Sequence, residues 1–243
     1  MWQQDIKKNE ILLAVCVGTG FGLLIVYLFY NSMKAIFLAI PICYFYMKEW
    51  INSLCKKKER IFKKHFSTAI TIMTSSLKVG YSYENALVES VRELEVLYGS
   101  SGICFKEFNR MKHLLTMNVP IEQAIDEMAN RIDHEDVTNF ATVFIAAKRS
   151  GGDAVVIMDE TVRQLNDRLE TEEEIATSLS SGKLEFKIMC LVPAVILLYM
   201  RFVFSDFMTI LYGNILGCIF MSICLGAYIG AYVVGKKMIN IEV

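Results

Sequence analysis

Several groups of residues in this 243-residue sequence have types and spacings that chemistry uses. Glu170, Glu172, Glu173 and Glu174 place four carboxylates within five positions. Such a patch docks a basic partner, or holds a cation weakly if another carboxylate folds nearby; equally it is a solvated helix face. His134-Glu135-Asp136 offers metal-ligating types, but consecutive helical residues point in different directions, so the triplet reads better as the start of a helix. Gly182-Lys183 lacks both the upstream glycine and the following Ser or Thr of a phosphate-binding loop. Gly18, Gly20 and Gly22 alternate inside an apolar run with no preceding strand, which argues against a nucleotide cradle there as well. His65 and His113 stand alone on helical patterns and read as structural. None of the seven cysteines forms a Cys-x-x-Cys pair, and Cys16, Cys43, Cys190, Cys218 and Cys224 lie in apolar segments, as packed thiols in a reducing compartment would. The expectation is a protein without catalytic residues, cofactor or metal, and any ATP must be handled by a partner.

The elements that carry these groups are of two kinds. The chain is 54% hydrophobic, above the usual share for a water-soluble domain, and its mean hydropathy is positive. Those residues gather near the two ends. Ile11 to Tyr30 is an unbroken apolar run of twenty residues, long enough as a helix to cross a hydrocarbon layer of about 30 Å. Ala35 to Met47 is a shorter second run, either a span that Lys34, Lys48 and Trp50 extend towards an interface or a re-entrant or interfacial helix. Ile188 to Phe204, with Pro193 and Arg201, and Gly213 to Gly235 give two more. Small residues recur every four positions at Ser222, Gly226 and Gly230, and again at Gly18 and Gly22, a pattern that lets helices approach closely in lipid. Lys7 and Lys8, the cluster from Lys48 to Lys64 with net charge +5, and Lys236 with Lys237 all belong on the cytoplasmic side by the positive-inside rule. Within that cluster Lys56, Lys57, Lys58, Arg60, Lys63 and Lys64 are also suited to anionic lipid headgroups. With a net charge of −1, nothing in the sequence points to a nucleic-acid partner.

The middle reads as helix throughout, with apolar residues three and four apart. Phe62, Phe66, Ala69, Ile70, Met73 and Leu77 form one stripe, closed by Gly80; Tyr83, Ala86, Leu87, Val91, Leu94 and Leu97 form the next. A helix around Phe105 to Met117 precedes a restart at Pro120, with Ile121, Ala124, Ile125, Met128 and Ile132 on one face. Asp133 is expected to cap the following helix, whose stripe is Val137, Phe140, Ala141, Phe144 and Ile145, ending at Gly151-Gly152. Asp153 then starts a helix through Leu179. The segment from Val79 to Leu87 is echoed thirty-eight residues later from Met117 to Ile125. In both, Gly80 or Asn118 supplies a left-handed residue, Ser82 or Pro120 starts a helix, and Ala86 or Ala124 packs closely.

The order and spacing of these short motifs resemble the cytoplasmic domain shared by type II secretion F proteins and the TadB and TadC proteins of tight-adherence (Flp) pili. The resemblance covers roughly residues 66 to 193. It rests on Leu77 to Ser82 with Ala86-Leu87, the second turn at Asn118 to Ala124, Ala146 to Gly152, Arg163 to Arg168, Glu174-Ile175, Ser181-Gly182-Lys183 and Pro193. One copy of the domain between pairs of spans is similar to TadB or TadC. The expected fold is all-α, a cytoplasmic six-helix bundle flanked by two N-terminal and two C-terminal transmembrane helices. Its segments are a cytoplasmic N-terminus at 1–10, two spans within 11–47, a basic neck at 48–65, the bundle at 66–183, two spans within 184–235 and a cytoplasmic tail at 236–243. The resemblance implies an inner-membrane platform on which a secretion ATPase acts to move pilin into a fibre. It also implies a sister subunit or a homo-oligomer as partner. Glu170, Glu172, Glu173, Glu174, Arg163 and Arg168 are the candidate partner interface. The rival expectation, a small transporter or channel, calls for ionisable groups deep in the spans, and these are nearly lacking.

Overall fold

The computed structural model describes residues 15–16, 18–20, 39–150, 154–204 and 215–239, and among these every regular element is a helix. In chain order they are α1 (Ala39–Lys78), α2 (Tyr83–Tyr98), α3 (Ile103–Thr116), α4 (Ile121–Ile132), α5 (Glu135–Ser150), α6 (Ala154–Val203) and α7 (Ile215–Ile239). Residues 15–16 and 18–20 are helical too. Most of the first apolar run, together with Gly22, Gly151, Gly152 and Asp153, lies outside the described residues.

The chain forms two compact units. One is built on Leu54–Thr171, the other on Ile6–Ser53 with Glu172–Val243. In the first, the core is assembled from the stripes the periodicity predicts. All six apolar residues of the α1 stripe are buried, as are the five of α4, and Phe66, Phe108 and Phe144 are among its largest fully buried side chains. Edge-to-face contacts of Phe66 with Phe140 at 5.6 Å and of Tyr83 with Phe144 at 5.5 Å lock α1, α2 and α5 together. From α6, Met158, Val162 and Leu165 close the core.

Two details of this unit differ from the sequence expectation. Leu97 is exposed, and Tyr98 faces inward instead: its ring stacks on His65 at 3.7 Å and its hydroxyl lies 3.1 Å from that of Thr68. Polar partners outweigh one more buried leucine at the helix end. Asp133 does not start α5. It ends α4 in the left-handed region (φ 51°), its N–H reaching the Ala129 carbonyl at 3.0 Å. With only two residues between the helices, Asp133 must close one and His134 open the other. The His134 Nδ1 accepts from the Asp136 N–H at 3.2 Å, and its carbonyl takes the Thr138 N–H at 3.0 Å.

Two helices begin or end inside apolar runs, and neither stops where composition changes. α1 passes without a break from the second apolar run through the basic cluster to Lys78. α6 runs fifty residues through Ser181-Gly182-Lys183 and past Pro193. A single glycine costs a helix about 1 kcal/mol relative to alanine, too little to end one that is supported on both sides. In the second unit the apolar part of α6 has no buried residue, and α7 carries a second apolar window at Ile219–Met238. Among the described residues these are the two helices long and apolar enough to cross a membrane. Phe186 of α6 stacks on Tyr232 of α7 at 5.8 Å, over Gly235, where a Cβ would run into the Phe186 ring. Tyr228 Oη donates to the Cys190 carbonyl at 2.8 Å, so this half-buried phenol does not go unpaired in an apolar setting. Lys236 pairs with Glu49 of α1.

Candidate functional site

The echoed turns are the same object built twice. At the end of α1 the N–H groups of Val79, Gly80 and Tyr81 donate to the carbonyls of Ser75, Leu77 and Ser76 at 3.3, 3.0 and 3.1 Å. At the end of α3 the N–H groups of Met117, Asn118 and Val119 donate to His113, Leu115 and Leu114 at 3.3, 3.0 and 3.1 Å. Each bond of one turn has its counterpart thirty-eight residues on. Both are left-handed helix terminations of the Schellman type, with Gly80 at φ 98° and Asn118 at φ 60°. Each then restarts from an extended residue, Ser82 (ψ 158°) or Pro120 (ψ 142°). Ser82 adds a side-chain cap, accepting from the Asn85 N–H at 3.2 Å, which proline cannot supply. Ala86 and Ala124, fully buried, let the new helix lie close to the core.

The two copies meet at one cation. Lys148 near the end of α5 lies 2.9 Å from Glu122 and 3.9 Å from Glu84, and its ammonium sits 5.5 Å from the centre of the Tyr83 ring. Glu84 and Glu122 are themselves equivalent, each two residues after its turn's helix start signal. The hydrogen bond from Lys148, more than any other influence, holds the Glu122 carboxyl below the usual carboxylate range. At the same end of this unit Lys78 pairs with Asp159 at 2.6 Å, which joins α1 to α6 and lowers the Asp159 pKa by the same kind of bond. This clasp escapes sequence reasoning. The duplicated glutamate is visible in the echo, but nothing in the spacing says that a lysine beside the double glycine will reach both.

A second polar cluster links four segments. His134 Nε2 is 3.3 Å from Glu59 on α1 and its Nδ1 is 3.7 Å from Asp136, which in turn is 3.5 Å from Arg168 on α6. Ser67 of α1 donates to the side-chain oxygen of Asn166. Glu107, buried in α3, takes the Arg131 Nε at 2.8 Å. Burial pushes the His65 imidazole below its ordinary value, with Lys64 adding to the effect, and pushes the Cys104 thiol up, with Glu107 adding. Among the described residues no group of three or more His, Cys, Asp or Glu is placed to hold a metal ion.

The remaining sequence candidates are dispersed. Glu170, Glu172, Glu173 and Glu174 are exposed along α6, as are Arg163, 3.8 Å from Asp159, and Arg168. Gly182 and Lys183 lie within α6, as does exposed Pro193. Ser222, Gly226 and Gly230 are exposed on α7, where Met221 and Leu225 are buried; Gly18 is buried. Of the basic cluster, Lys56, Lys57, Arg60 and Lys64 are exposed, and Lys58 and Lys63 half-buried.

Among the described residues the architecture therefore joins a helical unit with a duplicated turn to two helices long and apolar enough to cross a membrane. The family model for type II secretion system (T2SS) protein F matches residues 69–201, more than half of the chain, and the chain belongs to that family. Its members are inner-membrane, non-catalytic platform proteins of type II secretion and type IV pilus machines, which generally work with a secretion ATPase and other subunits of the machine. No curated protein and no solved structure matches the chain.

Proposed function

We propose that this chain is a platform protein of the TadB/TadC type, serving a tight-adherence (Flp) pilus or a related secretion system. In this reading residues 66–183 form a six-helix cytoplasmic domain behind a basic neck at 48–65, with two spans within 11–47 and two within 184–235, and both termini in the cytoplasm. The observation that carries it is one copy of the family domain, over residues 69–201, between apolar segments on both sides. A cytoplasmic ATPase acts on the domain, and pilin leaves the bilayer beside the spans. No residue of this chain makes or breaks bonds. The platform works with a sister subunit or a second copy, and the small faces at Gly18 with Gly22 and at Ser222, Gly226 and Gly230 suit close helix packing in such an assembly. The exposed carboxylates at Glu170, Glu172, Glu173 and Glu174, with Arg163 and Arg168 on the same helix, are offered to the partner, and the lysines of the neck rest near anionic headgroups.

Removing the gene tests the reading. Pilin is expected to accumulate in the membrane without fibres, and normal fibres would remove the platform role. Reversing the patch, Glu173→Lys with Glu174→Lys, is expected to abolish ATPase co-purification while the domain stays folded; unchanged co-purification would take these residues out of the interface.

A further inference from the structure

The first unit carries a groove that none of the roles above uses. It lies between the outer face of the end of α1, the turn after it and the middle of α2, has a volume of ≈ 480 Å³, and is lined by Thr71, Ile72, Ser75, Ser76, Val79, Tyr81, Glu89 and Glu93. Its polar and apolar features are ordered. Glu89 and Glu93 are four residues apart on α2, so their carboxylates project from one face about a turn from each other. The opposite wall offers the hydroxyls of Thr71, Ser75 and Ser76. At one lip stand Val79 and Tyr81, 79% and 51% exposed on the first of the echoed turns.

No basic residue lines the groove. Lys78, the nearest in sequence, is committed to Asp159 at 2.6 Å. Arg92 approaches Glu89 only to 3.9 Å from a largely exposed position, a pairing that water screens. α2 as a whole has Glu84, Glu89, Glu93 and Glu95 against Arg92 alone. A surface of this charge repels lipid phosphates and nucleic acid. It attracts cations, and with no third carboxylate, histidine or cysteine beside the pair it does not cage a metal ion. The wall from Thr71 to Val79 is about 12 Å long at 1.5 Å per residue, room for two turns of a helix or a few extended residues.

We propose that this groove docks a basic segment of a cytoplasmic partner protein, with two Lys or Arg side chains one helical turn apart on Glu89 and Glu93 and an apolar side chain on Val79 and Tyr81. If the platform reading holds, on which this last identification rests, the segment belongs to the secretion ATPase. Charge sets the approach and the apolar lip fixes the register.

The full-length protein in detergent is titrated with a fluorescent peptide of about twelve residues, two to three helical turns, that carries leucines on one face and lysines four apart on the other. Glu89→Gln with Glu93→Gln is expected to weaken binding by about tenfold, as the loss of two exposed charge contacts would. Tyr81→Ser is expected to weaken it without changing its salt dependence. Glu160→Gln with Asp167→Asn, two exposed carboxylates of α6, is expected to leave it alone. Unchanged binding to E89Q/E93Q, or an equal loss in E160Q/D167N, would overturn the proposal, the latter by showing attraction to any acidic surface. Co-purification of the ATPase separates the two readings. Capture by the wild type and equally by E89Q/E93Q overturns the groove and leaves the platform standing. Peptide binding that depends on Glu89 and Glu93, with no ATPase captured by the wild type, supports the groove and counts against the platform.

Discussion

At the scale of single residues, glycines of one sequence play opposite parts, and φ decides which. Gly80 has open space where a Cβ would go, so its need is conformational alone: at φ 98° an L side chain is strained. Gly80→Ala is expected to cost about 1–2 kcal/mol, read as a lower urea midpoint of the folded unit. Asn118 holds the equivalent place at φ 60°, and Asn118→Gly is expected to be neutral or slightly stabilising, whereas Asn118→Ala should cost about 1 kcal/mol. If G80A were silent, the turn would have another way to close. Lys148 is the other residue with a measurable burden. Lys148→Gln removes the bond to Glu122 and the weaker approach to Glu84, and is expected to cost about 1 kcal/mol at neutral pH. Because Glu122 titrates below its ordinary value of 4.5 when folded, its contribution is whole above that pH and vanishes as pH falls through the lower folded value. The gap in stability between wild type and K148Q should therefore be constant at neutral pH and close as pH falls below 4.5 and through the lower folded value. A gap independent of pH would mean that Lys148 acts by packing.

At the scale of helices, periodicity was a reliable guide to faces and a poor one to ends. The α1 and α4 stripes are buried as a 3.6-residue repeat demands, because each helix has one continuous apolar face. At the end of α2 the repeat permits position 97 or 98, and the choice falls to the partners of Tyr98 across the interface, His65 and Thr68, which lie some thirty residues away in sequence. The Asp133 cap was misplaced for a similar reason: Asp favours both a helix start and the left-handed end of another, and only the length of the turn distinguishes them. The echo was legible because both copies are local, each turn satisfied by carbonyls within five residues. Its clasp was not, since Lys148 meets Glu122 and Glu84 through the fold. Gly182 puts the continuity of α6 to the test. It sits in mid-helix, and nothing within 4 Å would meet a Cβ. Gly182→Ala is expected to raise stability by about 0.5–1 kcal/mol with unchanged helicity by circular dichroism. A loss of stability would show that the chain turns at Gly182 rather than passing straight through it.

At the scale of the whole molecule, sidedness decides whether any of this can reach a cytoplasmic motor. Two features of the sequence bear on it independently. In the proposed four-span topology the basic residues at Lys7 with Lys8, from Lys48 to Lys64, and at Lys236 with Lys237 are separated by even numbers of crossings, so one orientation places all of them on the same side. Translocation against the membrane potential disfavours moving such clusters outward, each charge costing about 2.3 kcal/mol per 100 mV. The second feature is the size of what would be stranded outside if the topology were reversed: the folded unit of Leu54–Thr171, with its acidic groove and its ion-paired turns. In a variant whose seven cysteines are replaced, a single cysteine at exposed Lys57 is expected to resist a membrane-impermeant maleimide in intact cells and to react fully once the membrane is opened. A second, at Asn31 between the first two apolar runs, is expected to react in intact cells. Labelling of the Lys57 position from outside would put the family domain on the wrong face of the membrane for an ATPase. Protection of both positions would instead mean that Ala35 to Met47 does not cross, which leaves three spans and places Lys7 and Lys8 outside.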